Sequence, residues 1–182
     1  MNIVEDKEKQ VAMHKDFFDR TEEAICDGYY LEAIFREYAA IEGRLEVLLG
    51  VLGAPCNRNA ADEDRRKVAI FHRIACLKRI YKDASQVGNT KLDTNYFKKL
   101  ERWIKERNTI VHGYYKNELS YRERSANNRK LSEGGLVLTK TLYNEVKRLR
   151  RYKKTQHDTD VSKAAVCYET SCSLNEKSGE TK

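Results

Sequence analysis

The stretch DGYYLEAIFREYAAIEGRLEVLL, Asp27 to Leu49, decides the fold. Within it Leu31, Ile34, Tyr38, Ile41, Leu45 and Leu48, continued by Leu52, recur at steps of three and four. On a helix of 3.6 residues per turn this spacing lines them along one side, with Tyr38 squarely in the apolar seam. A helix with one apolar stripe buries it against other helices. Asp27 and Gly28 supply a turn and a cap ahead of it, so the helix is expected over about Tyr30 to Leu52.

The same rhythm extends to both sides. A first helix is expected from about Glu8 to Ile25. After the connection GAPCNRNAADED, a third from about Asp62 to Ala84 carries Ile70, Ile74, Leu77 and Tyr81. A fourth begins near Leu92 or Thr94 and turns Phe97, Leu100 and Ile104 inward, with Trp103 beside them. Lys116 to Gly135 reads as a polar loop ending in Gly-Gly. A fifth helix, about Thr139 to Lys154, places Leu142, Val146 and Leu149 inward and is capped by Thr139 or the residue before it. From Thr155 the period is lost, and 155–182 is expected to be a mobile tail. The reading is therefore all-α: one domain over 1–154, a bundle of about five helices.

Composition agrees with long solvent-washed helices. Proline occurs once, at Pro55, glycine is sparse, and 35% of the 182 residues are charged. The longest apolar tract, VLLGVLGAP, is too short to cross a bilayer, and no N-terminal run resembles an export signal, so no membrane partner is expected. The five cysteines form no CxxC pair and no Cys/His ligand spacing, so neither a zinc site nor a disulfide framework is indicated, and a reducing cytoplasm fits. No metal or other cofactor is called for. The formal net charge is +7, and Thr155 to Lys182 holds three lysines against five acids, leaving +9 for the rest. That surplus points to an anionic partner, with nucleic acid ahead of membrane. KRLRRYKK, Lys147 to Lys154, concentrates it. Lys147, Arg148, Arg150 and Arg151 are either an RNA-binding strip or the solvated outer face of a terminal helix.

The polar end of the fourth helix, ERNTIVHGYY from Glu106 to Tyr115, breaks the apolar pattern. Steps of three and four from Phe97, Leu100 and Ile104 land on Arg107 and then Val111. A guanidinium there costs several kcal/mol, roughly, unless it is paired or reaches a wet cleft. Asn108 and His112 are one turn apart on the bordering face. Arg107 and His112 are five apart, about 140° around the helix. They meet only if the helix distorts near Gly113 or a two-fold related copy supplies the second group, which argues for a dimer whose fourth helices share a cleft. The residue types suit RNA cleavage. An imidazole titrating near neutrality can take the proton of a ribose 2′-hydroxyl, and a guanidinium can hold the phosphate and the charge building on it. The structural alternative pairs Arg107 with Glu42 or another acid of the second helix and lets His112 bind the last carbonyls before Gly113. His14 and His72 read as surface residues.

Arg-Asn-Thr-Ile-Val-His is similar to the R-x4-6-H motif of HEPN domains, and DGYYLEAIFREYAAIEGRLEVLL looks like the long helix of that fold. The resemblance implies an antiparallel helical bundle that dimerises and acts as a metal-independent ribonuclease in toxin-antitoxin, anti-phage or CRISPR-linked defence. On it, Arg107 and His112 would be catalytic and Asn108 would orient them. One variant of the family reads R-x4-H-x-Y, and Tyr114 stands in its final place. In that variant a nucleotidyltransferase antitoxin attaches AMP to the tyrosine, which makes Tyr114 a candidate regulatory site. The rival reading is a non-catalytic helical module that binds a nucleotide, nucleic acid or a protein through the same polar positions.

Overall fold

The computed structural model describes residues 3–54, 65–82, 87, 90, 92–113 and 119–175, and side-chain surroundings within 12–54, 70–82, 87, 90, 92–113 and 119–156. Five helices are present among them: α1 Ile3–Cys26, α2 Tyr30–Val51, α3 Arg65–Ile80, α4 Thr94–Gly113 and α5 Tyr121–Asn175. No strand occurs among the described residues. The fold is all-α, as the spacing predicts. The chain forms two compact units, Met1–Val146 and Lys147–Lys182, and the following concerns the first.

Contacts between the helices fix their directions. In α1 and α2, His14 meets Arg44 across a short turn in which Gly28 takes the left-handed conformation (φ +84°) that glycine tolerates. In α3 and α4, Lys78 pairs with Glu101 at 2.6 Å and the Tyr81 ring meets Phe97 at 5.7 Å. In α4 and α5, the Trp103 indole donates to the Leu131 carbonyl at 2.8 Å, and the Tyr96 hydroxyl donates to the Leu138 carbonyl at 3.0 Å. In each pair the residue number rises along one helix as it falls along the other, so the neighbours run antiparallel. Between them lie Ile34, Ile41, Leu45 and Leu48 of α2, Ile70, Ile74 and Leu77 of α3, Phe97, Leu100 and Ile104 of α4, and Leu138 and Leu142 of α5, all buried. Each fully buried side chain of this size contributes about 1.5–3 kcal/mol relative to exposure.

The expectations are corrected in four places. The segment 121–135 is helix, not loop, because Ser120 and Glu123 form a reciprocal capping box. The Ser120 amide donates to Glu123 Oε2 at 2.9 Å, and the Glu123 amide donates to Ser120 Oγ at 3.3 Å. The Ser120 hydroxyl and amide hold the Glu123 carboxyl below its ordinary range. Thr139 is therefore no cap. It lies inside α5 and its hydroxyl donates to the Gly135 carbonyl one turn back at 2.8 Å. The helix also runs on to Asn175, past the expected end at Lys154.

The Gly-Gly pair is the second correction in kind, since Gly135 serves close packing rather than a turn. A β-carbon there would stand 2.7 Å from Trp103 Cζ2 and 2.8 Å from Glu37 Cδ. Only a hydrogen fits where α2 and α4 close on α5. Third, Tyr38 is half-buried and Glu37 occupies the seam beside Ile34 and Ile41. The steps 34, 37, 41 and 34, 38, 41 satisfy the same rule, so spacing cannot choose between them. The fourth concerns the start of α2: its N-cap is Tyr29, and no side chain caps it.

Candidate functional site

Ile104 is the last fully buried residue of α4. Beyond it Arg107, Asn108, Ile110 and Val111 are half-buried and His112 is exposed. The helix leaves the core here, and its polar residues begin where the packing thins.

Arg107 is placed by α2. Its guanidinium carbon lies 4.2 Å from the centroid of the Tyr38 ring and 5.3 Å from that of Phe35. The negative faces of the two rings, three residues apart on one side of α2, stabilise a cation at a position the helical period reserves for an apolar group, by about 0.5–2 kcal/mol. Arg107 Nη1 donates to Asn108 Oδ1 at 3.0 Å. Its Nε is buried with no hydrogen-bond acceptor. The alternative pairing with Glu42 does not occur. Arg73 occupies that carboxylate at 3.7 Å and Glu46 at the same distance, and Arg107 makes no ion pair among the described residues. The Tyr38 hydroxyl has its pKa raised, first by burial and then by the Glu42 charge, against the opposing influence of Arg107 and Arg73.

Arg107 and Asn108 are thus brought together, and His112 is not joined to them. α4 is regular helix through Gly113, so His112 stands about 7.5 Å further along the axis and about 140° around from Arg107. Distortion near Gly113, one of the two routes to a joint site, is absent. Tyr114 lies outside the described residues, as does Tyr115. Lys147, Arg150 and Arg151 are exposed on α5, Arg148 is half-buried and Leu149 is buried.

The expectation that His14 is a surface residue is corrected. It is half-buried, with Arg44 Nη2 2.8 Å from its Nδ1 and the Tyr143 ring at 4.9 Å. Arg44 lies 5.2 Å over that same ring, and Phe18 meets its edge at 5.6 Å. His72 is exposed, with Nε2 3.6 Å from Cys76 Sγ. Among the described residues no group of three or more His, Cys, Asp or Glu side chains is placed to hold a metal ion.

Two openings escaped the sequence reading. A groove of about 880 Å³ lies between α4 and the first turns of α5, with Trp103, Leu131 and Leu138 in its floor and Lys99, Arg102, Arg124 and Lys130 about it against one acid, Glu106. Neither Arg107 nor His112 lines it. The signal for it was present in Leu131, Gly135, Leu138 and Leu142, which continue the helical period backwards through the segment read as a loop. A second cleft, of about 230 Å³, lies at the start of α2. Comparison with protein-family models, with curated proteins and with solved structures gives no match to this chain.

Proposed function

We propose that the chain is a metal-independent endoribonuclease of HEPN type, acting as a homodimer in which Arg107 and His112 of the two copies line one cleft. The observation that carries this reading is Arg107. Its charge is held by the Tyr38 and Phe35 rings and the Asn108 side chain, with no carboxylate among the described residues to cancel it. A cation kept half-buried and unneutralised is a group prepared for an anion. His112, exposed and a little more than one turn on, adds an imidazole that can accept and return a proton.

In this reading the His112 imidazole removes the proton of a ribose 2′-hydroxyl. The freed oxygen attacks the adjacent phosphorus, the bond to the 5′-oxygen breaks, and that oxygen takes back the proton that the imidazole removed. The products are a 2′,3′-cyclic phosphate and a 5′-hydroxyl. Arg107 stabilises the charge gathered on the phosphoryl oxygens, and Asn108 fixes the guanidinium. Lys147, Arg148, Arg150 and Arg151 supply sequence-independent attraction for the RNA backbone. The resemblance extends the proposal to a cytoplasmic toxin or anti-phage effector, with a nucleotidyltransferase antitoxin and Tyr114 as its point of control.

The test is incubation of purified protein with total RNA in EDTA. Cleavage that disappears in His112→Ala and in Arg107→Ala, each folded and dimeric, is the expected result. Cleavage retained by His112→Ala removes the assigned base. The second reading, a non-catalytic binding module, is favoured by the groove between α4 and α5, whose basic rim and apolar floor lie apart from Arg107 and His112. Tight RNA or protein binding without cleavage would select it.

A further inference from the structure

The second cleft is built on the start of α2. Tyr29 caps the helix with no side-chain bond, and the Tyr30, Leu31 and Glu32 amides make no hydrogen bond among the described residues. Such a helix end presents several N–H groups and the positive end of the helix dipole. Alone this is common to many helices. A second, independent feature distinguishes this one: Asn128 of α5, only 8% exposed, lines the cleft as well as the larger groove, and its carboxamide has no hydrogen-bond partner among the described residues. Its polar atoms are not sealed from water, so a ligand group entering the cleft can take the place of solvent before them.

The rest of the lining has matching chemistry. Arg124 is oriented by its Nε, which donates to the Leu119 carbonyl at 2.9 Å, and Ser125 adds a hydroxyl one turn before Asn128. Tyr29 and Tyr121, 63% and 84% exposed, stand at the mouth as uncommitted aromatic faces. The one acid in the lining, Glu32, is taken by Arg36, whose Nη2 and Nε donate to Glu32 Oε1 at 2.7 and 3.0 Å. At about 230 Å³ the space holds roughly eight water molecules at about 30 Å³ each. That is room for a phosphate and its sugar, and it leaves a base outside, against the tyrosines.

We propose that this cleft binds the phosphate of a nucleotide on the α2 amides, Arg124 and Asn128, with the base stacked on Tyr29 or Tyr121. The site is separate from Arg107 and His112, and the inference does not depend on the ribonuclease reading. The ligand chemistry is shared by a free mononucleotide and by a phosphorylated RNA end, and the two are separable by experiment.

Amide NMR of the full chain, titrated with guanosine 5′-monophosphate, guanosine, inorganic phosphate and an octaribonucleotide with and without a 5′-phosphate, tests it. The monophosphate is expected to shift the Tyr30, Leu31 and Glu32 amides and to bind at least about tenfold more tightly than guanosine, the span of a charge-assisted hydrogen bond. Asn128→Asp, which keeps the shape and adds a negative charge, should weaken it by a similar factor without changing thermal stability by more than a few degrees. If that variant does not fold, Arg124→Gln should produce the same loss. Preference for the phosphorylated octamer over the monophosphate identifies an RNA end as the source, and the reverse order a free nucleotide. Shifts elsewhere with none at the start of α2, or inorganic phosphate binding as tightly as the nucleotide, would overturn the proposal.

Discussion

The guanidinium of Arg107 rests 4.2 Å above the ring of Tyr38, so a tyrosine that the apolar period assigns to the core instead carries the charge of the candidate site. If the ring is what positions Arg107, its aromatic face matters and its hydroxyl does not. Tyr38→Phe is expected to keep RNA cleavage within about twofold, whereas Tyr38→Ala should lower kcat/KM by roughly ten- to thirtyfold, the span of a partly desolvated cation–π contact. Equal loss in the two variants would contradict a role for the ring.

Glu37 is fully buried, neither carboxylate oxygen has a hydrogen-bond partner among the described residues, and burial pushes its carboxyl up to about 9 from an ordinary 4.5. Between those values the folded chain holds a proton that the unfolded chain has lost. Stability therefore falls as pH rises across that window, by about tenfold in the folding constant per pH unit from this group, and levels off above about 9. Glu37→Gln keeps the shape of the protonated acid and cannot ionise. In urea titrations at pH 6 and pH 9, the variant is expected to lose less stability over that range than the parent. An identical pH slope in both would contradict a protonated Glu37.

Gly134 and Gly135 separate intrinsic preference from packing. An alanine in mid-helix gains about 0.5–1 kcal/mol over glycine where there is room. A β-carbon at Gly134 would meet Trp103 Cδ1 at 3.9 Å, an ordinary contact, so Gly134→Ala is expected to raise Tm. At Gly135 the new atom would press on Trp103 and Glu37, and Gly135→Ala is expected to lose about 1–3 kcal/mol by overpacking. The contrast is read from two thermal melts, and the same sign in both would place the close approach of α2 and α4 elsewhere.

The apolar seams of α2, α3 and α4 were legible because Ile34, Ile41, Leu45, Ile70, Ile74, Phe97 and Leu100 obey a period that only one structure uses. The departure at Arg107 was legible for the same reason. What it leans on was not, since one-residue shifts such as Glu37 for Tyr38 preserve the period and only neighbouring helices decide between them. The early part of α5 was hidden by its composition. Asn127, Asn128, Gly134 and Gly135 look like a loop, although Ser120 and Glu123 carry the spacing of a capping box and Leu131 and Leu138 continue the stripe. The cleft at the start of α2 leaves no local trace, because its parts lie about a hundred residues apart.

The central claim is that the guanidinium of one copy works with the imidazole of another, as the five-residue separation on an unbroken α4 requires. The direct measurement mixes purified Arg107→Ala and His112→Ala proteins, each inactive alone, under conditions that exchange subunits, and follows RNA cleavage in EDTA. Half the dimers are then mixed, and each regains one intact site of two, so about a quarter of wild-type activity is predicted to return. A mixture that exchanges subunits and stays inactive, while the wild-type protein cleaves, would contradict the shared site.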